Sequence, residues 1–397
     1  MDLPLPQGFR FAGIHSGIRS DPGRRDLALI VSTEPAAAAG VFTQNRVCAA
    51  PVRVSRERVP SQNVRGIVVC SGNANACTGE QGLRDAQRMT AVAAEELGCS
   101  ANQVLVCSTG IIGRPLPMAQ VEAGIRKAFP LLRSDQASFV DAAHAILTTD
   151  TRIKLAGRLI RLGDKEVRLA GMAKGAAMIG PNMATMLAFV ATDAQVNPQN
   201  LQHILKGAVD ASFNCISVEG HMSTNDTVLL LANGVSGARA DAGNALELFA
   251  AAVRESCAEL ARAIIDDAEG ITHLITIDVE GARTAGEARQ IARTIAESAL
   301  VKTAIFGADP NWGRIVSAAG YSGVAFAESD LSLWLNGTLL YERGTPVPFD
   351  AASVSAQMKN QREIHLRLVL ALGSARCRFW TSDLSYEYIR LNADYTT

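Results

Sequence analysis

Short apolar runs rich in β-branched residues alternate with longer segments of helical spacing, and this alternation limits the fold more than any other feature of the sequence. Short apolar runs between turn signals are typical of buried strands. They are found at 27–32, 66–70, 104–107, 186–191, 227–231 and 274–279. Apolar residues at helical spacing predict helices at 80–97, 118–132, 136–147, 200–212, 244–267 and 285–299.

The last part of the sequence is predicted to be mostly strand. The segments are 331–335, 338–342, 363–370, 377–381 and 386–391. Asn336-Gly337, between the first two, is typical of a two-residue hairpin turn. Strands and helices do not follow a strict βαβ rhythm, so the sequence predicts a mixed α/β (α+β) fold. We expect a sandwich of mixed β-sheets covered by α-helices rather than a purely parallel, doubly wound sheet.

Composition and charge exclude several classes of function. Of the 397 residues, 48% are hydrophobic and 19% are charged, which is enough for one large core or two smaller ones. Lys and Arg number 38 against 39 Asp and Glu, and no basic stripe is interleaved with aromatic residues, so nucleic acid is not an expected partner. No apolar run approaches the roughly 20 residues that span a bilayer. Residues 1–6 lack the pattern of a signal peptide, and the expected location is the cytoplasm.

Cysteine and histidine residues give no sign of a metal site. The eight cysteines are scattered without a C-x-x-C pair, and the six histidines are dispersed. We therefore expect reduced cysteines that behave mostly as small buried hydrophobes. A metal cofactor is not predicted, because close ligand pairs of the kind that bind zinc are missing.

An internal threonine, Thr185, follows a run of small residues that begins at Lys174-Gly175. A threonine hydroxyl can attack the preceding carbonyl group when the backbone strains that peptide bond. Hydrolysis of the resulting ester leaves an N-terminal threonine whose α-amine, with a pKa of about 7.7 to 8, serves as the base for its own hydroxyl. Pro181 and Asn182 suit a sharp turn before such a cut, and Ala184 offers little bulk. The alternative is an ordinary strand threonine with a buried hydroxyl.

The run from Lys174-Gly175 through Pro181-Asn182-Met183-Ala184-Thr185-Met186-Leu187-Ala188-Phe189 resembles the processing site of the ornithine acetyltransferase family, the ArgJ-type glutamate N-acetyltransferases. The resemblance implies an ArgJ/DmpA-like fold and self-cleavage between Ala184 and Thr185. The products would be an N-terminal fragment, 1–184, and a C-terminal fragment, 185–397, that begins with the nucleophile.

A second stretch, Ser108-Thr109-Gly110-Ile111-Ile112-Gly113, is similar to the family's Ser-Thr-Gly-Val-Ile-Gly motif. The resemblance implies that Thr109 and Gly110 form the oxyanion hole. Backbone N–H groups and a hydroxyl at the end of a strand can serve in this way. A plain strand-to-helix turn is the alternative.

Substrate-binding residues are implied by Lys174 of the processing-site run and by three further motifs of the family, at 148–151, 266–270 and 392–397. By this resemblance Thr148, Lys174, Glu269, Asn392 and Thr397, together with Thr185 itself, contact the substrate. A lysine can bind a carboxylate or lower the pKa of the new amine, and Glu269 can hold an ammonium group. Each has a plainer alternative: a solvated lysine, a glutamate that closes its helix, and a frayed C-terminus.

Three other stretches, 71–79, 223–227 and 307–314, extend the resemblance over most of the chain. The first and third are glycine-containing, but neither has the spacing of a phosphate-binding loop, so nucleotide binding is not predicted. The sequence departs from the family at Ala176, Ala177, Gly180 and His221. The first three changes are small in volume and are expected to leave processing intact, whereas His221 alters local charge.

The resemblance implies an acyltransferase of arginine biosynthesis that moves an acetyl group from N2-acetyl-L-ornithine to L-glutamate through an acetyl-threonine. No organic cofactor is required for that cycle, although acetyl-CoA serves as a second donor in some members. Two copies of each fragment are expected to assemble as a heterotetramer. The alternatives are an N-terminal-nucleophile amidase or aminopeptidase on a similar scaffold, and a binding protein that retains the fold without catalysis.

Overall fold

The computed structural model describes residues 2–178, 180 and 186–394. The strands are β1 Phe9–Ile14, β2 Leu27–Phe42, β3 Ser61–Asn73, β4 Val104–Ile111, β5 Lys154–Leu162, β6 Lys165–Lys174, β7 Leu187–Thr192, β8 Ile216–Ser217, β9 Thr227–Ala232, β10 Leu274–Ala282, β11 Leu331–Leu335, β12 Thr338–Glu342, β13 Thr345–Pro346, β14 Glu363–Leu370 and β15 Ala375–Ser382. The α-helices are α1 Ala50–Arg56, α2 Gly79–Leu97, α3 Met118–Ala128, α4 Gln136–Ala145, α5 Pro198–Asp210, α6 Gly243–Asp266, α7 Ala285–Glu297, α8 Ala299–Phe306, α9 Trp312–Gly320, α10 Ala351–Asn360 and α11 Tyr386–Asp394.

These strands form two mixed sheets. The first has the order β4-β3-β2-β9-β7-β6-β5, with β1 paired to β2. Its parallel pairs are β3–β4 and β7–β9, and its other neighbours are antiparallel. The second has the order β13-β12-β11-β14-β10-β15-β8, with β10–β14 and β8–β15 parallel. The predicted mixed α/β fold is confirmed.

Both faces of the first sheet are covered by helices, as the alternation of side chains along its strands requires. In β2, Leu27 and Leu29 pack with α2 and α3, whereas Ala28 and Ile30 pack with Phe139 of α4. Helices α5 and α6 cover the part of the sheet formed by β7 and β9. The second sheet has its own core against α7 to α10. The site described below is built from the loops that leave the first sheet.

Most predicted elements are present, several of them longer than predicted. Strands 331–335, 338–342 and 363–370 have the predicted bounds, whereas β2 continues for ten residues beyond Ser32. Asn336 and Gly337 have positive φ angles of 47° and 84° and join β11 to β12, so the predicted hairpin turn is confirmed. The β5–β6 hairpin and helices α1, α8, α9 and α10 were not predicted.

The predicted strand at 386–391 is wrong, because this segment is the helix α11. Its aromatic and apolar residues alternate as in a half-buried strand, but Tyr386 and Ile389 are 82% and 57% exposed. The Ser385 hydroxyl accepts a hydrogen bond from Tyr388 N at 3.2 Å, as in a helix cap. Arg390 pairs with Glu387 one turn earlier. The cap at Ser385 and the ion pair between Arg390 and Glu387 therefore favour a helix over the strand that the alternating sequence pattern predicts.

No helix in the part of the chain that the structure describes combines the length and the apolar character needed to cross a membrane.

Candidate active site

Asn225 ties together loops that leave separate strands of the first sheet. Its Nδ2 donates to the carbonyl oxygens of Ala74 at 2.6 Å and Ser108 at 2.9 Å, and its side chain is buried. Ala74 follows β3, Ser108 lies in β4, and Asn225 precedes β9. Three chain segments more than 30 residues apart in sequence are thereby held around one point.

A cavity of about 180 Å³ lies beside this point and collects six of the predicted site residues. They are Thr109, Gly110, Thr148, Lys174, Glu269 and Asn392. The remaining predicted site residues, Ala184, Thr185 and Thr397, lie outside the described residues. The cavity adjoins a cleft of about 480 Å³, with which it shares Thr149 and Glu269.

Thr109 and Gly110 lie near the end of β4, next to the parallel strand β3. Gly72 is the register partner of Gly110, and φ of Gly110 is 132°. A Cβ atom on Gly110 would lie 2.3 Å from the carbonyl carbon of Gly72 and 2.6 Å from Asn73 N. No side chain fits there, so glycine is required by the approach of the two backbones as well as by φ. Thr109 is buried and faces the same cavity.

Lys174 ends β6 and is 1% exposed. Its Nζ lies 4.0 Å from Oδ2 of Asp150. Burial lowers the pKa of the Lys174 ammonium, because the charged form is desolvated, and Asp150 opposes this shift. The bland alternative of a solvated lysine is therefore wrong.

Asp150 is the centre of a buried charge network that sequence reasoning missed. Its carboxylate accepts Lys154 Nζ at 2.5 Å, Gly175 N at 2.6 Å and Thr148 N at 2.9 Å. Burial by itself would raise the pKa of Asp150, but Lys174, Lys154 and these hydrogen bonds hold it well below its ordinary range. Asp150 thus fixes the backbone on both sides of the cavity, at Thr148 and just after Lys174.

Lys154 extends the network to the end of α6. Its Nζ also lies 2.5 Å from Oδ2 of Asp267, and Asp267 accepts a hydrogen bond from Thr151 N at 3.1 Å. Both side chains are buried. Asp267 is two residues before Glu269, so the same network connects Lys174 to the segment that carries Glu269.

Glu269 and Asn392 meet at the rim of the cavity. Asn392 Nδ2 donates to Glu269 Oε2 at 3.1 Å and to Tyr388 O at 3.0 Å. Glu269 N donates to Ala176 O at 2.9 Å. Helix α11 comes close because Gly270 has φ of 69° and a Cβ there would lie 2.3 Å from Tyr388 N. The C-terminal segment is therefore helical as far as Asp394.

Several lining residues were not assigned a role from the sequence. They are Ala74, Ile111, Ile112, Thr149, Ala177, Met178, Ser223, Thr224 and Asn225. The sequence signal for the last three residues is the polar run 223–226, which directly precedes the apolar strand β9. Met178 has a positive φ of 56°, which is uncommon for a side chain other than glycine or asparagine.

Two departures from the family motif have contrasting surroundings. A Cβ on Gly180 would lie 2.4 Å from the carbonyl carbon of Gly220, so the bulkier residue usual in the family has no space here. His221, next to Gly220, is exposed. Glycine at 180 thus allows its backbone to lie close to that of Gly220. The imidazole of His221, by contrast, is exposed to solvent.

Within the described ranges no three His, Cys, Asp or Glu side chains are arranged to hold a metal ion. All eight cysteines are free thiols, and Cys70, Cys107, Cys215 and Cys257 are buried. Cys77 is exposed, which differs from the expectation of burial.

Comparison with known proteins gives a consistent result over the whole chain. The model of the ArgJ family matches residues 10–397. The arginine biosynthesis bifunctional protein ArgJ of Rhodopirellula baltica is 43% identical over 396 residues, which cover 99% of this chain and 96% of the relative. The protein of the same name from Symbiobacterium thermophilum is 46% identical over 398 residues, covering 100% and 98%.

A solved structure shares the fold as well. The crystal structure of the arginine biosynthesis bifunctional protein ArgJ from Bacillus halodurans, at 2.00 Å resolution, matches with a TM-score of 0.51 and 35% identity. The match covers 52% of this chain and 98% of that chain. The solved chain is therefore about half as long as this one.

Proposed function

Since the chain belongs to the ArgJ family, we propose that it transfers an acetyl group from N2-acetyl-L-ornithine to L-glutamate through an acetyl ester on Thr185. It is an enzyme of arginine biosynthesis and an acyltransferase. The observation that carries the proposal is the convergence of six residues, assigned from separate motifs, on one cavity of about 180 Å³. The amidase or aminopeptidase alternative has no such support.

Maturation comes first. The Thr185 hydroxyl attacks the carbonyl carbon of Ala184, the acyl group moves from nitrogen to oxygen, and water hydrolyses the ester. The products are fragments 1–184 and 185–397. The half-length solved chain from Bacillus halodurans supports a cut near the middle of the sequence.

In the first half-reaction the Thr185 hydroxyl attacks the amide carbonyl of acetylornithine, and the Thr185 amine accepts the hydroxyl proton. The developing oxyanion receives hydrogen bonds from the Thr109 hydroxyl and the Gly110 N–H. Ornithine leaves after its nitrogen is protonated. Glutamate then attacks the ester, and N-acetylglutamate is released with Thr185 restored.

Charge in the cavity suits an amino-acid substrate. Lys174 offers a buried cation for a carboxylate, and if the Thr185 amine binds in this cavity, that cation would also lower its pKa toward that of a working base. Glu269 offers a carboxylate for the substrate's ammonium group, and Asn392 holds one oxygen of that carboxylate. Thr148 and Thr397 complete the proposed substrate contacts.

The size of the cavity limits what it can enclose. Pockets that bury drug-sized ligands measure about 300–1,000 Å³, whereas this cavity measures about 180 Å³. An acetylated amino acid is of suitable size. We propose acetyl-CoA as a second donor, in keeping with the bifunctional relatives, and its nucleotide end must then lie outside the cavity. No organic cofactor is needed for either route.

The assembly and location proposed are a heterotetramer of two copies of each fragment, in the cytoplasm. Native mass spectrometry of the purified protein measures the assembly directly. A mass of twice the sum of the two fragments supports it, and a mass of one pair contradicts it.

Intact mass spectrometry tests the function, first on the wild-type protein and on Thr185→Ala. We expect two wild-type fragments whose masses sum to the 42.0 kDa chain plus one water, with the second beginning at Thr185, and one uncut variant chain. An uncut wild-type chain contradicts the proposal. The mature enzyme is then given acetylornithine with and without glutamate. N-acetylglutamate should form faster than free acetate, and the reverse would favour a hydrolase.

A further inference from the structure

Asp226 is a fully buried carboxyl group that the mechanism above does not use. It lies directly before β9 and is 0% exposed. Its Oδ1 accepts a hydrogen bond from Met186 N at 3.0 Å. Its Oδ2 is also buried and has no hydrogen-bond partner among the residues that the structure describes. A buried polar atom without a partner is costly and rare, so it calls for an explanation.

The position of Asp226 follows from the pairing of two parallel strands. Leu187, the first residue of β7, is paired with Thr227, the first residue of β9. The residues just before them, Met186 and Asp226, are therefore neighbours at the same end of the sheet. Thr227 N also donates to Met186 O at 3.2 Å. Asp226 is thus fixed beside the residue that directly follows Thr185 in the chain.

Covalent geometry keeps the nitrogen of Thr185 within reach of this carboxyl group. The nitrogen atoms of consecutive residues are three bonds apart and are separated by less than about 4 Å. Successive backbone nitrogens can bind one anionic group together. A carboxyl group that holds Met186 N with one oxygen is therefore well placed to serve the Thr185 nitrogen with the other.

Resting on the self-cleavage proposed above, we infer that Asp226 is a positioning residue for the nucleophile. Its Oδ1 anchors the backbone at Met186, and its Oδ2 accepts a hydrogen bond from the α-ammonium group that cleavage creates at Thr185. The mature enzyme then supplies a charged donor for the oxygen that has no partner among the described residues.

The charge state of Asp226 agrees with this role. Burial raises the pKa of its carboxyl group well above the ordinary range, and the hydrogen bond from Met186, a weaker interaction with Ser223 and the charge of Lys174 oppose this only in part. Lys174 also interacts with Asp150, Lys154 and Arg19. In the uncut chain the Thr185 nitrogen is a neutral amide, so the burial of Asp226 favours its neutral carboxylic acid form there.

Cleavage changes the balance between the neutral and the charged form of the Asp226 carboxyl group. The C–N bond between Ala184 and Thr185 breaks with the addition of one water, which leaves a carboxyl group on Ala184 and an amine on Thr185. The proton of the Asp226 carboxyl group can pass to this amine, giving a carboxylate and an ammonium group. The same proton can return when the amine acts as a base, so the two groups titrate together.

The discriminating variant is Asp226→Asn. Its amide oxygen can still accept the Met186 N–H, but its NH₂ group cannot accept a hydrogen bond from an ammonium group. We expect slower self-cleavage and a kcat lower by about ten- to a hundredfold, the usual effect of losing a hydrogen bond to a charged group. The acid limb of the kcat/KM profile should move to lower pH, because the ammonium form loses its partner.

The matched control is Asp193→Asn at the other end of β7. Asp193 is also buried and accepts backbone hydrogen bonds, from Gln7 N at 3.0 Å and Arg168 N at 2.8 Å. Its variant should mature and turn over with the wild-type pH profile. A merely structural role for Asp226 would lower the amount of folded enzyme in Asp226→Asn without moving the acid limb.

Infrared spectroscopy gives a second measurement that does not require an active variant. The uncut Thr185→Ala protein should show a carboxylic-acid C=O band that is lost in Thr185→Ala/Asp226→Asn, and the mature wild type should lack it. Persistence of the band in the mature enzyme overturns the inference. An uncut wild-type chain overturns the proposed function instead. Normal cleavage with an unmoved acid limb in Asp226→Asn overturns only the role of Asp226.

Discussion

Asn392 Nδ2 lies 3.1 Å from Glu269 Oε2, so the last helix of the described chain contacts the carboxylate proposed to hold the substrate's ammonium group. Asn392 also binds its own helix through Tyr388 O. Because Gly270 allows the backbone of α11 to come close, the contact is set by packing rather than by a flexible tail. The orientation of Glu269 therefore depends on a residue that is 123 positions away in sequence.

Asn392→Ala should weaken substrate binding more than it slows chemistry. Loss of a hydrogen bond to a charged group costs about 1.5–3 kcal/mol, so we expect KM for acetylornithine to rise about tenfold or more while kcat changes less. Steady-state kinetics of the mature enzyme measures this. Glu387→Gln, on the same helix and paired only with the exposed Arg390 among described contacts, is the control. An unchanged KM for acetylornithine in Asn392→Ala would contradict a role of Asn392 in substrate binding.

Gly110→Ala should abolish most of the activity, since its Cβ would collide with the backbone of Gly72 at 2.3 Å. Displacement of one oxyanion donor costs about 100- to 1,000-fold in kcat. Gly113→Ala is the control from the same turn, because φ of Gly113 is 78° but no atom lies within 4 Å of the added Cβ. It should lose only about 1–2 kcal/mol of stability. Equal kcat values for the two variants would exclude the proposed role of Gly110.

Asp150→Asn should destabilise the fold by about 3–5 kcal/mol at pH 7, because it leaves buried lysines without their carboxylate. The measurement is urea unfolding in the Thr185→Ala background, where one uncut chain unfolds. Lys154→Met is the partner variant, and the two changes together should cost less than the sum of their separate effects. Additive costs would mean that the two residues do not interact.

The same carboxyl group predicts a dependence of stability on pH. The pKa of Asp150 is lowered in the folded protein, so its contribution is fully present above the unfolded pKa of about 3.9. That contribution is lost as the pH falls below this value toward the lower folded pKa. We expect the free energy of unfolding of the uncut chain to decrease from about pH 4 downward. The difference from Asp150→Asn should narrow over the same interval, and a constant difference would contradict this account.

Gly180→Val should slow self-cleavage, because the added side chain would meet the backbone of Gly220 at 2.4 Å. A displacement of about 1 Å near reacting groups can cost a hundredfold in rate, and the time course of cleavage after translation measures it. Gly207→Ala, in α5 with open space around its Cβ, is the control and should cleave normally. Normal cleavage in Gly180→Val would show that the close contact between the backbones of Gly180 and Gly220 is not needed for self-cleavage.

Local chemistry made some features predictable. The β11–β12 hairpin followed from Asn336-Gly337, since both residues tolerate the positive φ that the turn requires. The β5–β6 hairpin has a comparable turn signal at Gly163-Asp164. The sequence does not predict this hairpin, because charged residues interrupt the apolar pattern of both strands. Where the turn residues determine the local structure, the sequence alone is sufficient to predict a hairpin.

Other features depend on distant contacts and leave no local pattern. Segment 386–391 alternates as a strand would, and its helical state depends on the cap at Ser385 and the close approach at Gly270. The partners of Asp150 and Asp226 lie in other strands or loops. Sequence alone gave six cavity residues through the family motifs, but not the carboxyl groups that hold the neighbouring backbone.

The strand order of the first sheet has a further consequence for the cut enzyme. Strands β7 and β9, which follow Thr185, are inserted between β2 and β6, which precede it. After the proposed cleavage the strands of the two polypeptides would alternate in one hydrogen-bonded sheet, and neither polypeptide could dissociate without breaking the hydrogen bonds in the middle of that sheet. Once unfolded, the two fragments would have to associate again by diffusion before they could refold. Their unpaired strand edges would be exposed meanwhile and would favour aggregation. If Thr185 is cut as proposed, the lifetime of the mature enzyme is therefore set by its unfolding rate.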